Sequence, residues 1–342
     1  MFYIVSVVLI SSLLSFILGF RLYKFLKFHG LFDQPNSRSS HSVPTVRGGG
    51  IIVIFPFLGA LFFVSVTTKS IEAMGLAAGL IMVSVISSLD DIRSISKFCR
   101  FGFHVGGALV FLSTVFYSLW IAGDLVANPV VLAGVGILLA LWVVGYANAF
   151  NFMDGINGLA GAQAVLTSFF DGAVSVIFGG WNSEIAIVCG ALCGGALGFL
   201  PHNFPRAKMF MGDIGSVTLG FGLAGVVVWI ASRYGWWLMI PLSLSHANFV
   251  LDTGFTLLRR VLRGGTWSEP HREHFYQYMI RSGASHVSVT LCQAVLQIIV
   301  ISLLLLWFMV GLVWKAAILA LVFVIWFSYF AYCEKTYGKC DE

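Results

Sequence analysis

Asn148-Ala-Phe-Asn151-Phe-Met-Asp154-Gly-Ile-Asn157-Gly-Leu-Ala-Gly161 is the stretch on which the reading of this chain turns. One apolar run, 129–147, leads into it and another, 160–178, leads out. Each run is close to the ~20 residues a helix needs to cross hydrocarbon. Asn148, Asn151, Asp154 and Asn157 recur at every third position, so in a tight helical turn they lie nearly along one side. Gly155 and Gly158 interrupt the row where backbone must bend or approach a ligand closely. Three carboxamides and a carboxylate are costly beside a bilayer unless something binds them. A plain helix cap needs one or two such residues, not four in register, so a site is the stronger reading.

Composition extends this reading to the whole chain. Of its 342 residues 58% are hydrophobic and only 10% charged, where a soluble domain carries about a quarter. The expected fold class is an all-α polytopic integral membrane protein forming one domain, 1–342, without a soluble module or internal repeat. By hydropathy there are about eleven transmembrane helices: 2–20, 49–67, 73–89, 103–121, 129–147, 160–178, 184–200, 214–232, 236–256, 287–309 and 312–332. The segment 2–20 lacks a basic start and a small-residue cleavage site, so it reads as a retained helix. Six cysteines show no disulfide or zinc spacing. The pairs Gly75/Gly79 and Gly190/Gly194 have the spacing of close helix contacts.

An odd number of spans puts the termini on opposite sides. Of the 20 Lys and Arg residues, all but Lys69, Arg233 and Lys315 then fall on the side reached after the first span. Positive charge marks the cytoplasmic side, so the N-terminus is expected outside and the C-terminus inside. That brings segments 21–48, 90–102, 148–159, 201–214 and 257–286 to the cytoplasmic face. The net charge of +5 reflects this asymmetry and gives no sign of nucleic-acid binding.

Four of these segments carry chemistry besides the opening stretch. The first, Asp33 to Gly50, holds Arg38, His41 and Arg47 ahead of a glycine run and suits an anionic headgroup. The second opens with Asp90-Asp91, adjacent carboxylates that repel unless a cation or proton lies between them. Arg93, Lys97 and Arg100 follow at four- and three-residue spacing, which places them on one face of a continuing helix. An acid pair beside a basic face is what a divalent cation with phosphate ligands requires. In the third, Met211-Gly-Asp213-Ile-Gly-Ser216, Asp213 sits at a helix start, either as a plain N-cap or beside a bound phosphate and its metal. The fourth contains Pro270-His271-Arg272-Glu273-His274, a donor set for phosphate or sugar oxygens; two histidines without a third ligand do not make a zinc site. Asp252 and Asp171 are intramembrane carboxylates, and only Asp252, near the histidine segment, is a functional candidate. His29, His104, His246 and His286 read as structural.

Taken together these motifs resemble the polyprenyl-phosphate N-acetylhexosamine-1-phosphate transferases. This superfamily of glycosyltransferase family 4 type includes the enzymes that initiate O-antigen synthesis and the phospho-MurNAc-pentapeptide translocase. The resemblance implies that undecaprenyl phosphate attacks the sugar-bearing phosphorus of a UDP-sugar with Mg²⁺ (Mn²⁺ as a substitute), releasing UMP. It implies Asp213 as metal ligand, with Asp90 or Asp91 acting on the lipid phosphate as base or second metal contact. Arg47, Arg93, Lys97, Asn148, Asn151, Asp154, Asn157, His271, Arg272 and His274 would bind substrate. Asn157 stands where the family often has an aspartate, the histidine segment lacks its last two histidines, and Ser39-Ser40 replaces a frequent lysine. These departures look like the O-antigen branch that handles UDP-N-acetylated 6-deoxyhexoses such as FucNAc or QuiNAc, with UDP-GlcNAc as the other candidate, and they argue against the pentapeptide translocase. The expected partners are undecaprenyl phosphate, a UDP-N-acetylhexosamine, the bilayer of a bacterial inner membrane, and a second copy of the chain in a homodimer. A lipid-linked sugar flippase is the competing class, but flippases place ionisable groups near the midplane of repeated halves.

Overall fold

A computed structural model describes residues 2–35, 43–125, 128–265 and 271–341. Arg38, Ser39, Ser40, His41 and Pro270 lie outside the described residues. The long helices are α1 (Phe2–Phe28), α2 (Ile51–Thr68), α3 (Ile71–Ile92), α4 (Lys97–Ala122), α5 (Pro129–Phe152), α6 (Leu159–Gly179), α7 (Glu184–Asn203), α8 (Gly212–Tyr234), α12 (His286–Trp307) and α13 (Leu312–Asp341). Among the described residues these ten are long and apolar enough to cross a membrane. Side-chain caps start several of them: Ser70 for α3, Ser96 for α4, Asn128 ahead of Pro129 for α5, Ser183 for α7 and Ser285 for α12.

The expected span 236–256 is not one helix. A 3-10 turn, Trp236–Leu238, leads into α9 (Met239–Ser245), and α10 (Ala247–Leu262) follows a break at His246. The Ser245 carbonyl released by the break accepts Gln163 Nε2 at 3.3 Å and Gln297 Nε2 at 2.6 Å. Backbone may leave the helix at membrane depth only where neighbours satisfy it in this way. Several helices also run further than the hydropathy boundaries, because polar residues continue them past the apolar core: α4 begins at Lys97 and α5 reaches Phe152.

At the centre stands α8, whose apolar window is entirely buried. Its glycines let neighbours approach: a Cβ on Gly220 would meet Phe150 and Ala147 of α5, and one on Gly225 would meet Leu76 of α3. The glycine pairs pack as expected. Gly190 and Gly194 of α7 lie against Ile4, Val8 and Ser11 of α1, and Gly79 of α3 lies against Gly107 of α4. The register of these contacts makes α1 and α7 parallel, so the N-terminal end of α1 is remote from the end where Asn203 leads towards α8.

A short helix, α11 (Phe275–Arg281), and a small sheet close that second end. The strands are β1 (Phe32–Asp33), β2 (Thr45–Arg47) and β3 (Met209–Phe210), in that spatial order. β1 pairs antiparallel with β2, and β2 parallel with β3, placing Arg47 opposite Phe210. The glycine run carries the pairing on: Gly49 and Gly50 donate N–H bonds to the Phe210 and Met211 carbonyls, each 2.8 Å. This sheet ties the loop after α1 to the start of α8.

Candidate active site

The start of α8 is capped from another helix. Gly212 adopts a φ of +74°, which glycine alone takes without strain, and turns the chain from β3 into the helix. Asp91, from the last turn of α3, accepts the Asp213 and Ile214 N–H groups, each at 3.0 Å. A carboxylate at a helix N-terminus satisfies orphan donors and complements the dipole. Asp213 therefore is not the cap, and both of its oxygens face charged partners. Its Oδ1 lies 2.7 Å from Arg47 Nη2, which also lies 2.8 Å from Asp91 Oδ1. Its Oδ2 lies 3.4 Å from Arg100 Nη1, which also pairs with Asp90. Asp90 in turn accepts the Ile95 N–H at 2.8 Å. Three aspartates and two arginines from β2, α3, α4 and α8 thus form one cluster.

The stretch 148–161 lies beside it but not as one polar row. Asn148 and Asn151 belong to the last turn of α5, whereas Asp154 and Asn157 fall in the non-helical turn before α6. The separation is the end of α5 at Phe152, and Gly158, at φ +81°, closes the turn at the start of α6. Asn148 donates back to the Val144 carbonyl at 2.7 Å, Asn151 to Ser216 Oγ of α8 at 2.9 Å, and Asn157 to the Pro205 carbonyl at 3.2 Å. Asp154 faces the aspartate cluster: its burial, then Asp213 and Asp91, raise its carboxyl well above the usual range against the pull of Arg47. Burial opposes the Arg47 charge, but Asp213, Asp91 and Asp33 outweigh it and keep the guanidinium firmly cationic.

The expected shared face of Arg93, Lys97 and Arg100 does not form. Arg93 caps the C-terminus of α3, and Ser96 restarts the chain as α4 by accepting the Cys99 N–H at 3.2 Å. Arg100 reaches the cluster, while Arg93 and Lys97 are exposed.

The histidine segment docks against the same turn. Tyr276 of α11 donates to the Phe152 carbonyl at 3.0 Å and fills the space a Gly155 side chain would need. His271 and His274 have ring centroids 5.0 Å apart, and His274 lies 6.1 Å from Phe152. Burial, His274 and Arg260 pull His271 down to about 4, so it is neutral at physiological pH. Arg272 adjoins the pair in sequence and is partly buried. His286 is nearer the site than expected, its Nδ1 accepting the Asn157 N–H at 3.4 Å.

Three site neighbours were given no role by the sequence alone. Ser216 belongs to the 211–216 motif and Asn203 to segment 201–214, with Asn203 Oδ1 accepting the Gly158 N–H at 2.6 Å. Tyr276 carried no sequence signal. Arg100, expected beside the acid pair, does reach it.

A model of glycosyl transferase family 4 matches residues 73–231, which include the acid pair, the 148–161 stretch and Asp213. The decaprenyl-phosphate N-acetylglucosaminephosphotransferase of Mycobacterium tuberculosis (strain H37Rv) is 30% identical over 290 residues, covering 77% of this chain and 72% of its own length. The chain belongs to glycosyl transferase family 4. Other relatives include a probable undecaprenyl-phosphate N-acetylglucosaminyl 1-phosphate transferase of Bacillus subtilis (strain 168), 28% identical with 75% and 72% covered. A phospho-N-acetylmuramoyl-pentapeptide-transferase of Streptococcus pyogenes is 28% identical with 73% and 79% covered. This family 4 chain is thus a multi-pass membrane transferase of the superfamily its motifs pointed to.

Proposed function

We propose that this chain transfers an N-acetylhexosamine 1-phosphate from a UDP-sugar to undecaprenyl phosphate, with release of UMP. The donor is UDP-GlcNAc or a UDP-N-acetyl-6-deoxyhexose such as FucNAc or QuiNAc. The product would initiate O-antigen or a related surface polysaccharide. The site would face the cytoplasm at the bacterial inner membrane, where nucleotide-sugars are available, in keeping with the distribution of Lys and Arg.

The observation that carries this reading is the meeting of Arg47 and Arg100 with Asp90, Asp91 and Asp213 at the N-terminus of the central helix. Two phosphate-bearing anions must be brought together, and a helix N-terminus flanked by guanidiniums offsets their repulsion. A lipid phosphate oxygen would form a bond to the sugar-bearing phosphorus. The bond from that phosphorus to the oxygen bridging towards the uridine phosphate would break, and UMP would leave with that oxygen. Holding both reactants at the membrane edge supplies most of what the step needs from the protein.

The donor set fits a hard divalent cation. One guanidinium nitrogen of Arg100 already lies between Asp90 and Asp213, so these carboxylates converge on a cation-sized position. Among the described residues no group of three side-chain ligands is arranged for a metal; Mg²⁺ takes one or two carboxylates and completes its shell with substrate phosphates and water. Asp213, with Asp90, would hold it, and when bound it would neutralise developing charge on the phosphates. Asn151, Asp154 and Asn157 would seat the nucleotide-sugar, with His271, Arg272 and His274 closing over its diphosphate or sugar.

The test is transfer from a UDP-sugar labelled with ³²P on its sugar-bearing phosphate. Label entering the organic phase only with undecaprenyl phosphate supports the reading; label left in water with every donor overturns it.

A further inference from the structure

Asp252 was an intramembrane carboxylate in search of a task, and its surroundings supply one. It is fully buried on α10, below the histidine segment. Its Oδ1 lies 2.8 Å from His274 Nδ1. It also takes the Phe275 N–H, at 3.1 Å from Oδ2, and the Thr256 hydroxyl at 3.3 Å. Apart from the Thr256 hydroxyl on its own helix, these contacts are spent on the junction where the histidine segment enters α11. A carboxylate only accepts, so Nδ1 must carry the hydrogen, and Nε2 is the ring atom left for a ligand.

We infer that Asp252 is a positioning residue: it fixes the tautomer and direction of His274, so that Nε2 engages the phosphate or sugar oxygens of the nucleotide donor. This rests on the transferase reading. The ring is held from several sides. Tyr276 stacks on it at 5.9 Å, His271 lies at 5.0 Å, and Phe152 of α5 at 6.1 Å. Charged groups around it are also committed: Arg259 donates to the Glu273 carbonyl at 2.6 Å, Arg260 pairs with the Glu273 side chain, and Asp154 lies across Tyr276. Asp252 is thus the carboxylate in direct contact with the imidazole. When the ring takes a second proton, both nitrogens donate, and the buried carboxylate balances the charge while Nε2–H binds an anionic oxygen. Asn at 252 would keep the volume but offer an amide that donates as well as accepts, which leaves the tautomer unspecified.

The test compares wild type, Asp252→Asn, His274→Gln and the double variant, all full length in detergent. In Asp252→Asn, kcat/KM for the UDP-sugar should fall about ten- to a hundred-fold, with the KM for undecaprenyl phosphate unchanged. The alkaline limb of the kcat/KM profile should move to lower pH. The double variant should be no worse than His274→Gln alone. Losses that multiply, with an unmoved pH profile, would reduce Asp252 to a structural role and overturn the inference. A second readout needs no activity. The ¹⁵N shifts of His274, assigned through His274→Gln, should show hydrogen on Nδ1 in wild type and a mixed tautomer in Asp252→Asn; identical shifts in both would also overturn it. Wild type that transfers nothing would refute the transferase reading, while the ¹⁵N comparison would still decide the pair.

Discussion

Asp91→Asn separates the carboxylate that builds the site from those that face substrate. Asp91 accepts two backbone N–H groups at the start of α8, each at 3.0 Å. Asparagine keeps one acceptor oxygen and turns an NH₂ against the other donor. The loss is one capping bond, about 0.5–2 kcal/mol, and the charge opposite the helix dipole, about 0.3–1 kcal/mol. The Arg47 pairing adds little, because that side chain is 35% exposed. A total near 2 kcal/mol should lower the melting temperature of a chain of 342 residues in detergent by roughly 3 °C, read by tryptophan fluorescence. Asp213 and Ser216 ride on the same helix start, so transfer should fall by about 100-fold, the cost of a shift near 1 Å. Asp213→Asn removes a side chain that caps nothing; it should abolish transfer and leave melting within about 1 °C of wild type. Asp91→Asn melting like wild type, or Asp213→Asn melting as low as Asp91→Asn, would refute this division of roles.

Three further outcomes follow from the same geometry. Gly212→Ala forces a side chain into a φ of +74° and sets its Cβ 2.7 Å from Asp91 Oδ2; melting should drop with a penalty of about 1–2 kcal/mol or more, and transfer should drop with it. Asp154 has its carboxyl raised by burial and by Asp213, so the folded state resists ionising it and wild-type stability should decline as pH rises above about 4. Melting scans from pH 4 to 9 should show a smaller decline in Asp154→Asn, the remainder coming from Asp91, whose carboxyl burial lifts to about 6, and no transfer throughout. Tyr276→Phe loses one hydrogen bond to Phe152, a cost of about 1 kcal/mol; a raised KM for the UDP-sugar, with the lipid KM unchanged, is the expected kinetic signature.

Much of the architecture was legible because a membrane helix has a length and a composition that single residues cannot disguise. The Gly190/Gly194 and Gly75/Gly79 contacts were legible for the same reason, since spacing alone defines a helix face. The broken span at His246 was not, because its backbone is satisfied by Gln163 and Gln297 from helices remote in sequence. β1, β2 and β3 have two or three residues each and therefore no periodicity to read. The site was legible as a set of residues but not as a set of pairs. Arg47 meets Asp213 across 166 positions, and no local pattern encodes that. Reading 148–157 as one helical row failed where α5 ends at Phe152, and the 93–100 face failed where Ser96 restarts a helix. In both cases a local turn signal outweighed the period.

The central claim is that phosphorus, not the sugar carbon, is the centre attacked, and the nucleotide released reports this directly. Purified protein with undecaprenyl phosphate, Mg²⁺ and a panel of UDP-N-acetylhexosamines should release UMP in step with lipid-linked product, and release none when the lipid phosphate is omitted. Release of UDP, or UMP formed at the same rate without the lipid, would contradict the account.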